Sequence, residues 1–311
     1  MKHLGKCHLC GEETELTFEH IPPQKANNNN SAHAIVGDTL IEHICSTKQP
    51  WDLSELKYKN MQRGMGGYTL CERCNNNTGT WYAKDYIKFS NEIGYVLTNK
   101  VNLEKAKSLK VEIKNMYPLR IFKQILCMFM STMQENFLDI YPDLREFILN
   151  KESRNFNVKK YRVSMYFLKE PQNSWTGING VLYNDGKIKT MAGMDIYPLG
   201  FILEIDPTEE KIDYVTDISN LGTDYTYDDN GTLVITSNIL ERNTIFIGDF
   251  RSKEKIIKQS EKSRGNLLEE YKVRIEKLNI EEEKYKNIFE DYKLNKISSA
   301  DFINKMEKLL H

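Results

Sequence analysis

The chain has 311 residues, 40% hydrophobic and 28% charged, a globular balance that excludes a disordered or fibrous protein. Its 43 basic and 44 acidic residues leave a net charge of −1, so any hold on a polyanion must come from a local patch. No apolar run approaches the roughly 18 to 20 residues that span a bilayer, and the start, MKHLGKCHLCGEE, lacks the apolar segment of a secretory signal; a cytoplasmic protein without membrane contact is expected.

Residues 1–80 are rich in Cys, His, Asn and Gly and poor in periodicity, as when a metal holds the chain in place of a core. Within them, 24–66 reads as an irregular insertion. Asn27-Asn28-Asn29-Asn30 is expected to be a mobile loop, and Arg63-Gly64-Met65-Gly66-Gly67 forms turns. The spacing of Tyr82, Tyr86, Phe89, Ile93 and Leu97 predicts a helix over about 79–98. A greasier helix follows over about 118–137, apolar around most of its circumference and therefore buried. Pro142 starts a short helix through Leu149.

From 156 to 250 the pattern changes to strands. Val158–Leu168 alternates in part, and Gly200–Ile205, Lys211–Val215, Leu233–Thr236 and Thr244–Ile247 read as further strands. Asn184-Asp185-Gly186 and Asp229-Asn230-Gly231 are hairpin-turn signals. From Ser252 the chain is charged and helical. Leu268, Tyr271, Ile275, Leu278, Tyr285, Phe289 and Tyr292 form a heptad seam, with Glu282 its one polar member. The seam suits either a homodimer through 252–292 or packing on its own chain. Ser298 or Ser299 caps a last helix, Ala300–Leu310. The expected architecture is α+β: an N-terminal module over 1–98, helices and then an antiparallel β-rich accessory domain over 99–250, and a helical, coiled-coil segment over 251–311.

Two cysteine pairs carry the clearest chemistry. Cys7-His8-Leu9-Cys10 and Cys71-Glu72-Arg73-Cys74 each leave two residues between thiols, which lets both sulfurs reach one tetrahedral ion. In a reducing compartment such pairs read as ligands before disulfides, so Cys7, Cys10, Cys71 and Cys74 are expected to hold a structural Zn²⁺. Cys45 and Cys127 read as ordinary thiols, and His8 as exposed or supporting rather than a ligand.

Between the pairs lies Leu16-Thr17-Phe18-Glu19-His20-Ile21-Pro22-Pro23, and the second pair runs straight into Asn75 and then Gly79. This order, CxxCG, LTxEHxxP, CxxCN and a glycine, resembles a zinc-framed branch of the HNH endonucleases over residues 1 to about 90. The resemblance implies a ββα-metal fold in which His20 is the general base and Glu19 and Asn75 hold one Mg²⁺ or Mn²⁺. The residue types suit that chemistry. Hard cations prefer oxygen ligands, and an imidazole with an ordinary pKa near 6.5 accepts protons at neutral pH. The substrate implied is nucleic acid, DNA ranked before RNA, in work such as antiphage defence. The alternative is a zinc-containing nucleic-acid-binding or regulatory protein without activity. Many family members have Asp at Glu19 and His at Asn75. Gly66 stands where the family usually has its middle asparagine, a role left to Asn60, Asn76 or Asn77. His33 and His43 lie in the insertion and read as surface histidines. Lys57, Lys59, Arg63, Arg73, Lys84 and Lys88, with Lys25 and the aromatics Trp51, Tyr58, Tyr68 and Trp81, are the candidate nucleic-acid contacts.

Overall fold

The computed structural model describes residues 2–34, 57–62, 64–170, 173–182, 188–209, 211–212, 214–240, 276, 283–294 and 296–310. Met1–Arg251 form one compact unit and Ser252–His311 a second. The fold is mixed α+β. No helix among the described residues is long and apolar enough to cross a membrane.

The first unit opens with three antiparallel strands in the order β1 (Leu4–Lys6), β2 (Glu13–His20), β5 (Gly66–Cys71). The first cysteine pair forms the turn between β1 and β2, closed by Gly11 at φ 79°, a left-handed backbone that side chains disfavour. Inside the insertion, β3 (Ala32–Ala34) pairs with β4 (Lys59–Met61), which sets His33 opposite Asn60. His43, Cys45, Trp51 and Arg63 lie outside the described residues.

Strand β5 runs directly into helix α1 (Glu72–Thr78), which continues through a π-helical turn (Gly79–Ala83) into α2 (Lys84–Lys100). The helical rod therefore begins at 72, earlier than its apolar stripe suggests. The stripe itself, Tyr82, Tyr86, Phe89, Ile93 and Leu97, is buried as its spacing requires.

Helix α3 (Pro118–Thr132) is the hub. It stops five residues short of the expected end, where Met133 turns to extended backbone. All its residues from Pro118 to Ser131 are buried except Arg120, whose guanidinium lies between the Tyr117 and Tyr227 rings at 3.9 and 4.0 Å. Even Lys123 is fully buried. Its ammonium donates to the Asn150 and Lys151 carbonyls (2.7 and 3.1 Å), while burial pushes its pKa down to about 7. Those carbonyls follow α5 (Pro142–Leu149), itself preceded by the short α4 (Phe137–Ile140).

Against α3 lies a sheet ordered β6 (Ser108–Met116), β12 (Gly231–Leu240), β7 (Tyr161–Leu168), β10 (Leu199–Ile205), β9 (Ile188–Ile196), β8 (Asn173–Leu182), with β11 (Thr216–Asp217) also on β7. It is antiparallel except where Ile239 and Leu240 run parallel to Phe167 and Leu168. Strand β6 lies between α2 and α3 in the chain yet joins this sheet, burying Val111 and Ile113. Lys211–Val215 forms no strand among the described residues; the short strand is Thr216–Asp217. Asp229-Asn230-Gly231 is no hairpin turn either, because β11 pairs β7 while β12 pairs β6. Asn184-Asp185-Gly186 and Thr244–Ile247 lie outside the described residues.

In the second unit, residues 283–293 are helical and α6 spans Ser299–Leu310. Ser298 caps α6 by accepting from the Asp301 amide at 3.1 Å, and Tyr292 stacks on Phe302 at 4.5 Å. Tyr285, Phe289 and Tyr292 of the heptad seam fall in the helix; Leu268, Tyr271, Ile275, Leu278 and Glu282 lie outside the described residues.

The hub can be tested at Phe122, whose ring meets Phe156 and Phe147 edge-on at 4.8 and 6.2 Å. Phe122→Ala is expected to lower stability in urea denaturation by about 3–5 kcal/mol; a loss below about 1 kcal/mol would refute a close-packed hub.

Candidate metal centre and the His20 strand

The four cysteines of the two pairs converge: their sulfurs all lie within 4.8 Å of one another. Cys10 and Cys71, 61 residues apart in sequence, bring their Sγ atoms to 3.9 Å. A tetrahedron with Zn–S bonds of about 2.3 Å has edges of about 3.8 Å, so the spacing fits a zinc ion. Backbone amides support the sulfurs: Cys71 N–H donates to Cys7 Sγ (3.3 Å) and Cys74 N–H to Cys71 Sγ (3.4 Å). The second bond makes Cys71 the N-cap of α1, where the positive end of the helix favours a thiolate. The hydrogen bond from the Cys74 thiol pushes Cys7 down to about 4, and as its donor Cys74 is pushed up; burial raises Cys10. Four sulfurs packed this closely could hold a cation, and as thiolates they make the donor set of a closed structural site.

Both halves of the cluster are tied to the body. His8 is turned toward α3, where its Nδ1–H donates to the Met130 carbonyl at 3.1 Å. Arg145 donates to the Leu9 carbonyl (3.0 Å) and to Asp139 (2.6 Å), and Asp139 also pairs with Lys6. Cys127 is buried apart from the cluster, its thiol pushed up by burial.

His20 ends β2, opposite Gly66 of β5. Strand alternation puts Phe18 and His20 on one face and Thr17 and Glu19 on the other. The Phe18 and His20 rings meet edge-on at 5.1 Å, as that alternation requires. On the inner face, the Asn75 amide of α1 donates to Thr17 Oγ1 (3.0 Å) and, more loosely, to the Phe18 carbonyl (3.5 Å). Glu19 is only 6% exposed. Its Oε2 accepts from the Ser131 hydroxyl of α3 and from Thr69 at 3.3 Å. Burial pushes the Glu19 carboxyl up to about 7, against the pull of those two hydroxyls. Asn75 therefore does reach the strand that carries Glu19. Yet a carboxyl so enclosed, facing away from His20, does not fit a Mg²⁺ or Mn²⁺ that keeps several waters. Glu19 sits in this structure as a buried anchor between β2, β5 and α3.

Gly66, the position that the HNH resemblance sets against a middle asparagine, cannot hold one. A Cβ on Gly66 would lie 2.0 Å from the Glu19 carbonyl oxygen. Asn28, from the asparagine run expected to be mobile, takes up a positioning role instead. It is 3% exposed. Its Nδ2 donates to the carbonyls of Pro22 (2.7 Å) and Met65 (2.8 Å), and its Oδ1 accepts from Met65 N–H (2.7 Å). With Ile21 N–H on the Met65 carbonyl (3.0 Å), Asn28 closes the mouth of the insertion two residues beyond His20. Asn60 and Asn76 are exposed. A lone polar run gives no sign that one member is buried; only the fold selects it.

Among the candidate nucleic-acid contacts, Arg73 pairs with Glu12 at 2.9 Å, and Lys88 donates to the Lys114 and Asn115 carbonyls. Lys25, Lys57, Lys59 and Lys84 are exposed, as are Tyr58 and Tyr68. Comparison with protein-family models, curated proteins and solved structures found no match to this chain.

Three outcomes follow from this geometry. Cys71→Ser, or a strong chelator, is expected to unfold the N-terminal module, read as loss of zinc with loss of ellipticity, because metal binding and folding are coupled; a chelated chain that keeps its melting curve would contradict this. Asn28→Ala is expected to speed hydrogen exchange at the Met65 and Ile21 amides about a hundredfold, near 3 kcal/mol of local stability; unchanged exchange would remove its positioning role. Glu19 titrates at about 7 in the fold and about 4.5 as an ordinary carboxyl, so the fold holds an extra proton between those values. Its contribution is therefore most favourable below about pH 4.5 and is lost as pH rises through 7, by about 3 kcal/mol in all. Glu19→Gln should thus gain stability over wild type as pH rises from 5 to 8, by up to about 3 kcal/mol; a mutant effect independent of pH would contradict the buried, proton-holding carboxyl.

Proposed function

We propose that this chain is an HNH-type endonuclease that hydrolyses phosphodiester bonds of nucleic acid, with His20 as the general base. The observation that carries the reading is one arrangement: β2 pairs antiparallel with β5, β5 runs directly into α1, the four cysteines frame both, and half-buried His20 ends β2. That is the strand–strand–helix order the motifs imply. The imidazole takes the proton of a water attacking phosphorus, and the bond to the leaving oxygen breaks. Zinc in this reading is structural and holds the frame. The resemblance implies a Mg²⁺ or Mn²⁺ as well. Because Glu19 does not fit as its ligand, no step is assigned to such an ion.

Burial of Glu19 also favours a second reading, a zinc-stapled nucleic-acid-binding or regulatory protein without hydrolysis. Incubation with plasmid DNA and with RNA, in Mg²⁺ or Mn²⁺, separates the two. Wild type is expected to cut, DNA before RNA, and His20→Ala to cut about 10²- to 10⁴-fold more slowly. Cutting undiminished in His20→Ala would remove the assigned base; no cutting of any substrate by wild type would favour the binding protein.

A further inference from the structure

Beside His20, the outer face of the β1–β2–β5 sheet carries a run of flat rings that the hydrolytic reading does not use. His3 stacks on Tyr68 with ring centroids 3.5 Å apart and planes 18° from parallel. Phe18 meets Tyr68 edge-on at 5.4 Å and His20 edge-on at 5.1 Å. Tyr68 is 44% exposed, although aromatic side chains are ordinarily drawn inward. His3, Phe18 and His20 are half-buried.

We propose that the His3–Tyr68–Phe18 row is a stacking platform for unpaired bases, which directs a single-stranded segment of nucleic acid to His20. Three observations converge on this partner. The His3 imidazole already lies flat on Tyr68 at stacking distance, so a planar ring is accommodated there, and a base extends the pile. The row leads to His20 in two ring steps, so a base seated at Tyr68 holds a neighbouring phosphate of the same strand near the imidazole. Charge supplies little: the net charge is −1, and the basic residues at this sheet are paired, Lys2 with Glu15 and Lys6 with Asp139. A duplex hides its base faces and is held mainly through phosphates. A strand with open bases adds stacking on aromatic rings to its phosphate contacts, and that stacking tolerates any base sequence. The inference rests on His20 as the reacting group, but its central test does not require cutting.

The test uses the full chain with its zinc and measures anisotropy of labelled, cleavage-resistant probes: phosphorothioate oligothymidylate, 2′-O-methyl oligouridylate and a phosphorothioate duplex. Both single strands, or one of them, should bind more tightly than the duplex at equal salt; a preference for one sugar identifies whether DNA or RNA supplies the strand. Tyr68→Leu is expected to bind single strands about tenfold more weakly, while Tyr68→Phe binds as wild type does. Melting curves of both variants check that the sheet is intact. Equal binding by Tyr68→Leu and wild type, or a duplex bound as tightly as single strands, would overturn the platform. Tyr68-dependent binding by a chain that cuts nothing would keep the platform and remove the nuclease reading. Cutting of single strands that ignores Tyr68→Leu would do the reverse.

Discussion

The convergence of four sulfurs is the constraint on which the rest of the N-terminal architecture depends. Cys7 and Cys10 sit at one end of β2, and Cys71 and Cys74 arrive only after the long insertion. Bringing such distant points together costs loop-closure entropy. A tetrahedral zinc held by these four cysteines would close the loop with metal–ligand bonds. Because Cys71 is also the N-cap of α1, the same sulfur fixes where the helical rod begins. The knuckle is further tied to α3, α4 and α5 through His8, Lys6 and Arg145, so the sulfur cluster is anchored to the body of the unit.

A second closure acts at the other end of the same strand. Asn28 joins Pro22 to Met65 with three hydrogen bonds, and Gly66 lets β5 approach the Glu19 carbonyl more closely than any side chain permits. His20 lies between these two closures. The strand that carries it is fixed by buried polar bonds at one end and by the sulfur cluster at the other, which is how a loop-rich segment can hold a side chain in place. Glu19 turns inward to Ser131 on the hub helix, which couples the strand to the accessory sheet.

Where local pattern and tertiary structure agreed, the sequence was a good guide. The paired cysteines, the stripe from Tyr82 to Leu97, the Pro142–Leu149 helix and the Gly200–Ile205 strand were all legible, because a fixed spacing has few folded solutions. The start of the helical rod at Glu72 was not, because a thiol stands where Ser, Thr, Asp or Asn usually caps. Strand β6 was missed despite its alternation of Leu109, Val111 and Ile113, since it pairs with β12 more than a hundred residues later. The burial of Asn28 and Glu19 depends on partners at Met65 and Ser131 that no local window contains. Of the candidate site, the cysteine cluster was legible in full, whereas the enclosure of Glu19 and the ring row beside His20 emerged only with the packing.

Zinc X-ray absorption on the full chain, purified without chelator, probes the sulfur cluster most directly. One zinc per chain with four sulfurs at about 2.3 Å is the predicted result. A folded chain without zinc, or a shell in which a nitrogen such as that of His8 replaces a sulfur, would contradict it.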